Sequence, residues 1–303
     1  MEDLHLPSII PVDSDYGRYA DDNEDSEDDI DESSAYSVAS SMYNFRVENG
    51  RRYTDYKNGH PFPHDEVSEE NEACMHAMIS CLLDNKLFLS PIDESDLHCV
   101  ADVGTSRGLW AEGVAERYPE TEVVGFDLIP HERSTHPNCS YIVADATEDW
   151  VLDRPSMKFD LVHIRSLFVG IKDWPQLYKQ CFENMSSGGW IEQLEVEIAA
   201  MADDETNDLY SYIQSLARYS QEMSRAAGRD FQISTGMKKM IEEAGFVDVQ
   251  EQKLKLPLGP WSTDPKMKEV GKFFERYYKS GLQGWLLHIC TRSMGVGFIW
   301  NIT

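Results

Sequence analysis

The run His98-Cys99-Val100-Ala101-Asp102-Val103 has buried-strand character and passes directly into Gly104-Thr105-Ser106-Arg107-Gly108. The stretch LWAEGVAERYP follows, with Leu109, Val114 and Ala115 at helical spacing, and stops before Pro119. A second strand, Glu122 to Phe126, ends on Asp127. Strand, glycine loop, helix and acid-tipped strand in so short a span constrain the chain to an α/β fold with a parallel sheet. Glycines let the backbone approach a ligand closely, and the helix N-terminus beside them offers unpaired N–H groups. An acid at the tip of the second strand accepts both hydroxyls of a ribose. A dinucleotide site carries GxGxxG around a pyrophosphate, whereas this loop keeps Gly104 and Gly108 and shows no pyrophosphate cradle. It suits an adenosyl ligand without phosphate, with Asp127 on the ribose and the loop against its amino-acid end.

The alternation continues. Asn138 to Val143 reads as a third strand, and Asp145-Ala146 follow it, placing an acid to meet an adenine amino group. Lys158 to Arg165 reads as a fourth strand, and a helix from Trp174 to Met185 leads to Ser187-Gly188-Gly189, a tight turn into Trp190 to Glu195. Such alternation predicts helices on both faces of the sheet. Upstream, Met75, Met78, Ile79, Leu82 and Leu83 predict a helix from Glu66 to Phe88, closed by Pro91. Trp150, Trp174 and Trp190 read as packing residues.

Charge narrows the partners. The 303 residues hold 54 acidic and 27 basic side chains, a net of −27 that repels nucleic acid and anionic membrane alike. Residues 1–41 carry thirteen acids against Arg18 alone, too much like charge and too little apolar area to order. They are predicted to form a disordered tail, either purely solvating or a contact for protein partners. No apolar run is long enough to span a bilayer, and the N-terminus has no secretory pattern. Six cysteines without a CxxC or Cys/His cluster predict reduced thiols, no metal site and an intracellular protein, cytoplasmic or nuclear.

In order, VADVGTSRG, EVVGFD, VADATEDW, FDLVHIRS and KDWPQLYKQCFENMSSGGWIEQLE resemble the class I S-adenosylmethionine-dependent methyltransferases, and within them the fungal LaeA-like group. The lead-in YNFRVENGRRY and the downstream EEAGFVDVQEQKLKLPLGPWSTDPKMKEVG are similar to that group too, so the resemblance covers about Ser40 to Gly271. It implies a Rossmann-like sheet over 42–303, with a helical lead-in (42–97), a cofactor core (98–198) and a substrate cover with the C-terminal part (199–303). It implies S-adenosylmethionine as cofactor, with Asp102, Gly104, Ser106 and Gly108 at its methionine end, Asp127 on its ribose, and Asp145 and Ala146 at its adenine.

His163 and Arg165, at the end of the fourth strand, fall where the resemblance puts the acceptor. His163 is the candidate general base or a histidine bonded to a backbone carbonyl; Arg165 clamps a substrate carboxylate or pairs with Asp160 or another acid. Of Glu192 and Glu195, one is expected to face the pocket and one the solvent. The helical segment 203–227, with Met201, Tyr210, Tyr212, Tyr219 and Met223 in or beside it, is expected to form an apolar lid.

Two departures from the family pattern stand out. Ser106 replaces the usual middle glycine, and its Cβ is expected to weaken cofactor binding or shift the loop. The final antiparallel strand is missing or improvised by Gly297 to Ile302. The expected function is methylation of a small molecule in fungal secondary metabolism. The alternatives are a LaeA-like regulator acting through protein partners and a degenerate, non-catalytic member.

Overall fold

Five parallel strands, side by side in the order Cys139–Val143, Glu122–Asp127, Cys99–Val103, Phe159–Arg165 and Met185–Leu194, form the centre of the computed structural model. It describes residues 45–54, 60–131, 134–152, 154, 156–197 and 207–294, without the side chains of 207–214, 216 and 217. The predicted tail 1–41, Met201, the side chains of Tyr210 and Tyr212, and the substitute strand 297–302 lie outside the described residues.

The lead-in opens with a hairpin, β1 (Phe45–Glu48) and β2 (Arg51–Thr54), turning through Asn49-Gly50. Both turn residues have positive φ, 54° and 75°, the conformation that Asn-Gly supplies to a two-residue hairpin loop. Helix α1 (Glu66–Leu82) begins at Asp65, whose carboxylate accepts the Ser68 N–H. It ends well before Pro91. Asp84 and Asn85 both turn left-handed (φ 54° and 60°), and the Asn85 N–H closes onto Ser80 O at 2.7 Å. A short polar side chain tolerates that conformation, so the helix stops there although the apolar spacing runs on.

β3 (Cys99–Val103), β4 (Glu122–Asp127), β5 (Cys139–Val143), β6 (Phe159–Arg165) and β7 (Met185–Leu194) make the sheet. α2 (Leu109–Arg117) packs Trp110, Ala111, Val114 and Ala115 on one face, over Val100, Val123 and Leu161. Leu109, expected on the buried side, is exposed instead. α3 (Trp174–Asn184) packs Leu177, Tyr178 and Cys181 on the other face, over Ala101, Val103, Phe126 and Val162. Alternate residues of β3 thus serve opposite faces, as the period of two requires. Each fully buried apolar side chain contributes roughly 1.5–3 kcal/mol. The turn predicted at Ser187-Gly188-Gly189 is absorbed into β7 as a bulge: Met185 pairs with Phe159, while Trp190 already pairs with Leu161. Trp150 and Trp174 are buried in the core, and Trp190 packs against its edge.

α4 (Asn207–Ala227) and α5 (Met237–Glu243) follow. α6 (Pro265–His288) lies along α1, where Met267 and Val270 meet Met78, Ile79 and Leu82. Asn71 Nδ2 donates to Tyr277 O at 2.5 Å and to Ser280 Oγ at 2.9 Å, tying residues 206 apart in sequence. All six cysteines are free thiols, and no described helix is long and apolar enough to cross a membrane.

Candidate functional site

From β3 the chain runs outward to β4 and β5, then returns to β6 on the other side. The loops after β3 and β6 therefore diverge at the carboxyl edge of the sheet, where α/β folds hold their ligands. A cavity of about 150 Å3 opens there. Its floor is Gly104, Ser106, Asp127 and the turn Arg165 to Phe168; its roof is the lead-in, α1 and α6.

Gly104 and Gly108 have φ of 73° and 75°. A Cβ on Gly104 would collide with Leu167, and one on Gly108 with Tyr141 and His131, so neither site accepts a side chain. Ser106 also adopts the left-handed conformation (φ 49°), and its N–H donates to Asp127 Oδ2 at 2.8 Å. Serine therefore holds the left-handed conformation that glycine favours. Its Oγ donates to Glu72, on α1, which sequence reasoning missed. Loss of water around Glu72 raises its carboxyl to about 7, partly opposed by the Ser106 hydroxyl and assisted by the Asp127 charge. Burial raises Asp127 as well, against the pull of the amides of Ser106, Ile129 and Leu128. The two carboxylates face the cavity from opposite sides of the glycine loop.

The remaining predicted residues divide. Asp102 and His163 do not line the main cavity. They are register partners on β3 and β6, with His163 Nδ1 2.9 Å from Asp102 Oδ1, and Thr105 Oγ1 donates to Asp102 Oδ2 at 2.8 Å. The imidazole lies flat on Trp110, with ring centroids 3.7 Å apart. His163 thus bonds a carboxylate rather than a backbone carbonyl, and its other edge meets a small void shared with His76, Arg165 and Glu192.

Arg165 does line the main cavity, beside His76 Nδ1 at 3.1 Å. It does not pair with Asp160, which sits at the opposite end of β6 and accepts the amides of His98 and Cys99. Burial lowers the Arg165 guanidinium and takes His76 down to about 4. Neither Glu192 nor Glu195 is a solvent-facing acid: Glu192 accepts the amides of Leu89 and Ser90, and Glu195 those of Leu167 and Phe168. Burial raises Glu195 to about 7.

Asp145 accepts the Thr147 N–H and hydroxyl, and Ala146 O accepts the Trp150 indole, just past β5 and outside the cavity lining. Among the described residues α4 contributes nothing to that lining either; Tyr219 is exposed, and Met223 packs with Val169 and Phe231. The lead-in, α1 and α6 form the roof among the described residues, while residues 203–206 and the side chains of 207–214 in the expected lid lie outside them.

Residues 75–251 match the methyltransferase domain family. The chain belongs to that family. Methyltransferase pytC of Aspergillus terreus is 31% identical over 87% of this methyltransferase and 81% of its own length. The secondary metabolism regulator LAE1 of Cochliobolus heterostrophus is 28% identical over 78% of each chain. The regulator laeA of Aspergillus flavus is 30% identical over 80% of this chain and 65% of its own. The cofactor of this methyltransferase is S-adenosylmethionine, and the residues fit it. The donor set carries the fit: the Asp127 carboxylate stands at the tip of β4 on the cavity wall, next to Gly104 and Ser106 of the loop.

Proposed function

We propose that this methyltransferase transfers a methyl group from S-adenosylmethionine to a small molecule of fungal secondary metabolism. The observation that carries the reading is the roof: α1, α6 and the lead-in close over the glycine loop and enclose a cavity of about 150 Å3, with Phe62, Phe168, Tyr277 and Trp285 among its walls. Such a space suits a flat small molecule better than a segment of folded protein. The relation to pytC supports it.

The cofactor supplies an activated methyl carbon, and the acceptor's lone pair forms the new bond as the carbon–sulfur bond breaks. The protein's part is positioning and exclusion of water. Asp127 would hold the ribose, Gly104 and Ser106 the amino-acid end, and Asp145 and Ala146 the adenine. Glu72, with a carboxyl near neutrality on the cavity wall, takes the proton of an acceptor hydroxyl in this reading, in place of His163. Asp102 and His163 stiffen the floor beneath it. The six free thiols accord with work in the cytoplasm or nucleus.

Incubation with methyl-labelled S-adenosylmethionine and a fungal extract, fractionated by mass, tests the proposal. Label is expected in the low-mass fraction. Calorimetry that detects no cofactor binding at millimolar concentration overturns it.

The similarity to LAE1 and laeA supports a second reading, a regulator acting through protein partners with residues 1–41 as the contact. Label incorporated into protein alone, or partner capture that disappears with residues 1–41, would favour it.

A further inference from the structure

The end of the cavity farthest from the family core is built by residues outside the matched segment 75–251, among them Arg51, Phe62, Gly284 and Trp285. Arg51 is only 8% exposed. Its Nε and Nη2 form a fork onto Asp65, at 2.7 and 2.8 Å, and Nη2 also reaches Ser68 Oγ at 3.1 Å. Burial pushes the Asp65 carboxyl up, but the Arg51 fork and two backbone amides outweigh it and hold the group at about 2. The third guanidinium nitrogen, Nη1, is buried with no hydrogen-bond partner. Ser166 Oγ, also at the cavity wall, is a second buried polar atom without one.

A buried charged donor left unpaired is costly, and the loss is recovered when a ligand supplies the acceptor. Gly284 bears on the same point. A Cβ there would stand 3.2 Å from Arg51 Nη1 and 3.1 Å from Pro63, so glycine lets α6 pass this close to the donor. The neighbouring walls are the rings of Phe62, Phe168 and Trp285. His60 and His64 also line the space, but burial takes them to about 3 and 4, leaving both neutral at neutral pH.

We infer that the methyl acceptor is a flat, largely apolar molecule carrying an ionised oxygen, an acid or an enol, which Arg51 Nη1 receives while the aromatic rings pack its faces. This rests on the small-molecule reading above, and it names a specificity residue that the family core does not contain.

The test uses the full chain saturated with S-adenosylhomocysteine, titrated calorimetrically with 2-naphthoate and with neutral 2-naphthamide. Naphthoate is expected to bind at least about tenfold more tightly, the margin of one charge-assisted bond. Arg51→Lys keeps the charge but commits its single ammonium to Asp65, and Gly284→Ala crowds Nη1 while favouring the helix. Both are expected to bring the two ligands to within about threefold of each other, with S-adenosylhomocysteine affinity retained.

Equal affinities in the wild type, no heat from naphthoate, or a preference that survives both variants overturns the inference. So does a preference lost only in Arg165→Gln, which would put the anion on the other arginine. Failure to bind S-adenosylhomocysteine overturns the methyltransferase reading instead, so the two failures are told apart. Naphthol against naphthalene separates an enol-type oxygen from a carboxylate: tighter binding of naphthol as pH rises supports the enol form of the inference, and binding of naphthoate alone supports the acid form.

Discussion

The His163 imidazole sits between two partners at once: Nδ1 is 2.9 Å from Asp102 Oδ1, and the ring face lies 3.7 Å from that of Trp110. A carboxylate on β3, a ring on β6 and an indole on α2 are thereby fastened under the glycine loop. His163→Ala removes one acceptor contact of Asp102 and leaves Thr105 as its remaining side-chain donor. The loss expected for breaking a buried pair is about 3–5 kcal/mol. Urea denaturation checks it; a loss below about 1 kcal/mol would show that the pair is not structural.

Asp127 carries the ribose assignment. Replacing it by alanine removes a charged acceptor at the tip of β4, and S-adenosylmethionine is expected to bind about 10- to 100-fold more weakly in calorimetry. An unchanged affinity would place the ribose elsewhere.

Ser106 tests the glycine loop from the other side. Ser106→Gly relieves a left-handed residue at the expense of its hydroxyl contact with Glu72, and cofactor affinity is expected to stay within about threefold. Ser106→Val puts a β-branched side chain at φ 49° and is expected to abolish binding. The reverse order of the two variants would contradict the loop geometry.

Glu72 and Glu195 both have carboxyls raised to about 7 by burial. Between about pH 4.5 and 7 the folded chain holds protons there that the unfolded chain has lost, so this contribution to stability is present at low pH and disappears as pH rises through 7. The difference in unfolding free energy between wild type and Glu72→Gln should therefore change across that window, with the variant gaining relative to wild type as pH rises. Urea midpoints at pH 5 and 7.5 measure it. A pH-independent difference would mean that the Glu72 carboxyl is not perturbed.

The sheet was legible because parallel strands covered on both faces read as short apolar runs, as in Cys99 to Val103 and Val123 to Phe126. The loop and Asp127 were legible because glycines and an acid at fixed offsets have a local mechanism. The roof was not. Glu72 reads as one of several acids in the first turns of an amphipathic helix, and only the fold shows that it faces Ser106. Arg51 reads as half of a basic pair in a hairpin; its partner Asp65 is fourteen residues on, and its cavity neighbour Gly284 is on the last helix. Side chains brought together across more than 200 residues leave no periodic trace. The partners of His163 were hidden for a related reason. Its place near the end of β6 was read correctly, but the strand's alternation turns it to the face beneath Trp110.

The roof joins Asn71 to Tyr277 and Ser280, so the pocket is shaped by one segment synthesised early and another synthesised late. On the ribosome the lead-in, α1 and the five strands all emerge before α6, so the roof over the glycine loop is complete only once α6 docks on α1.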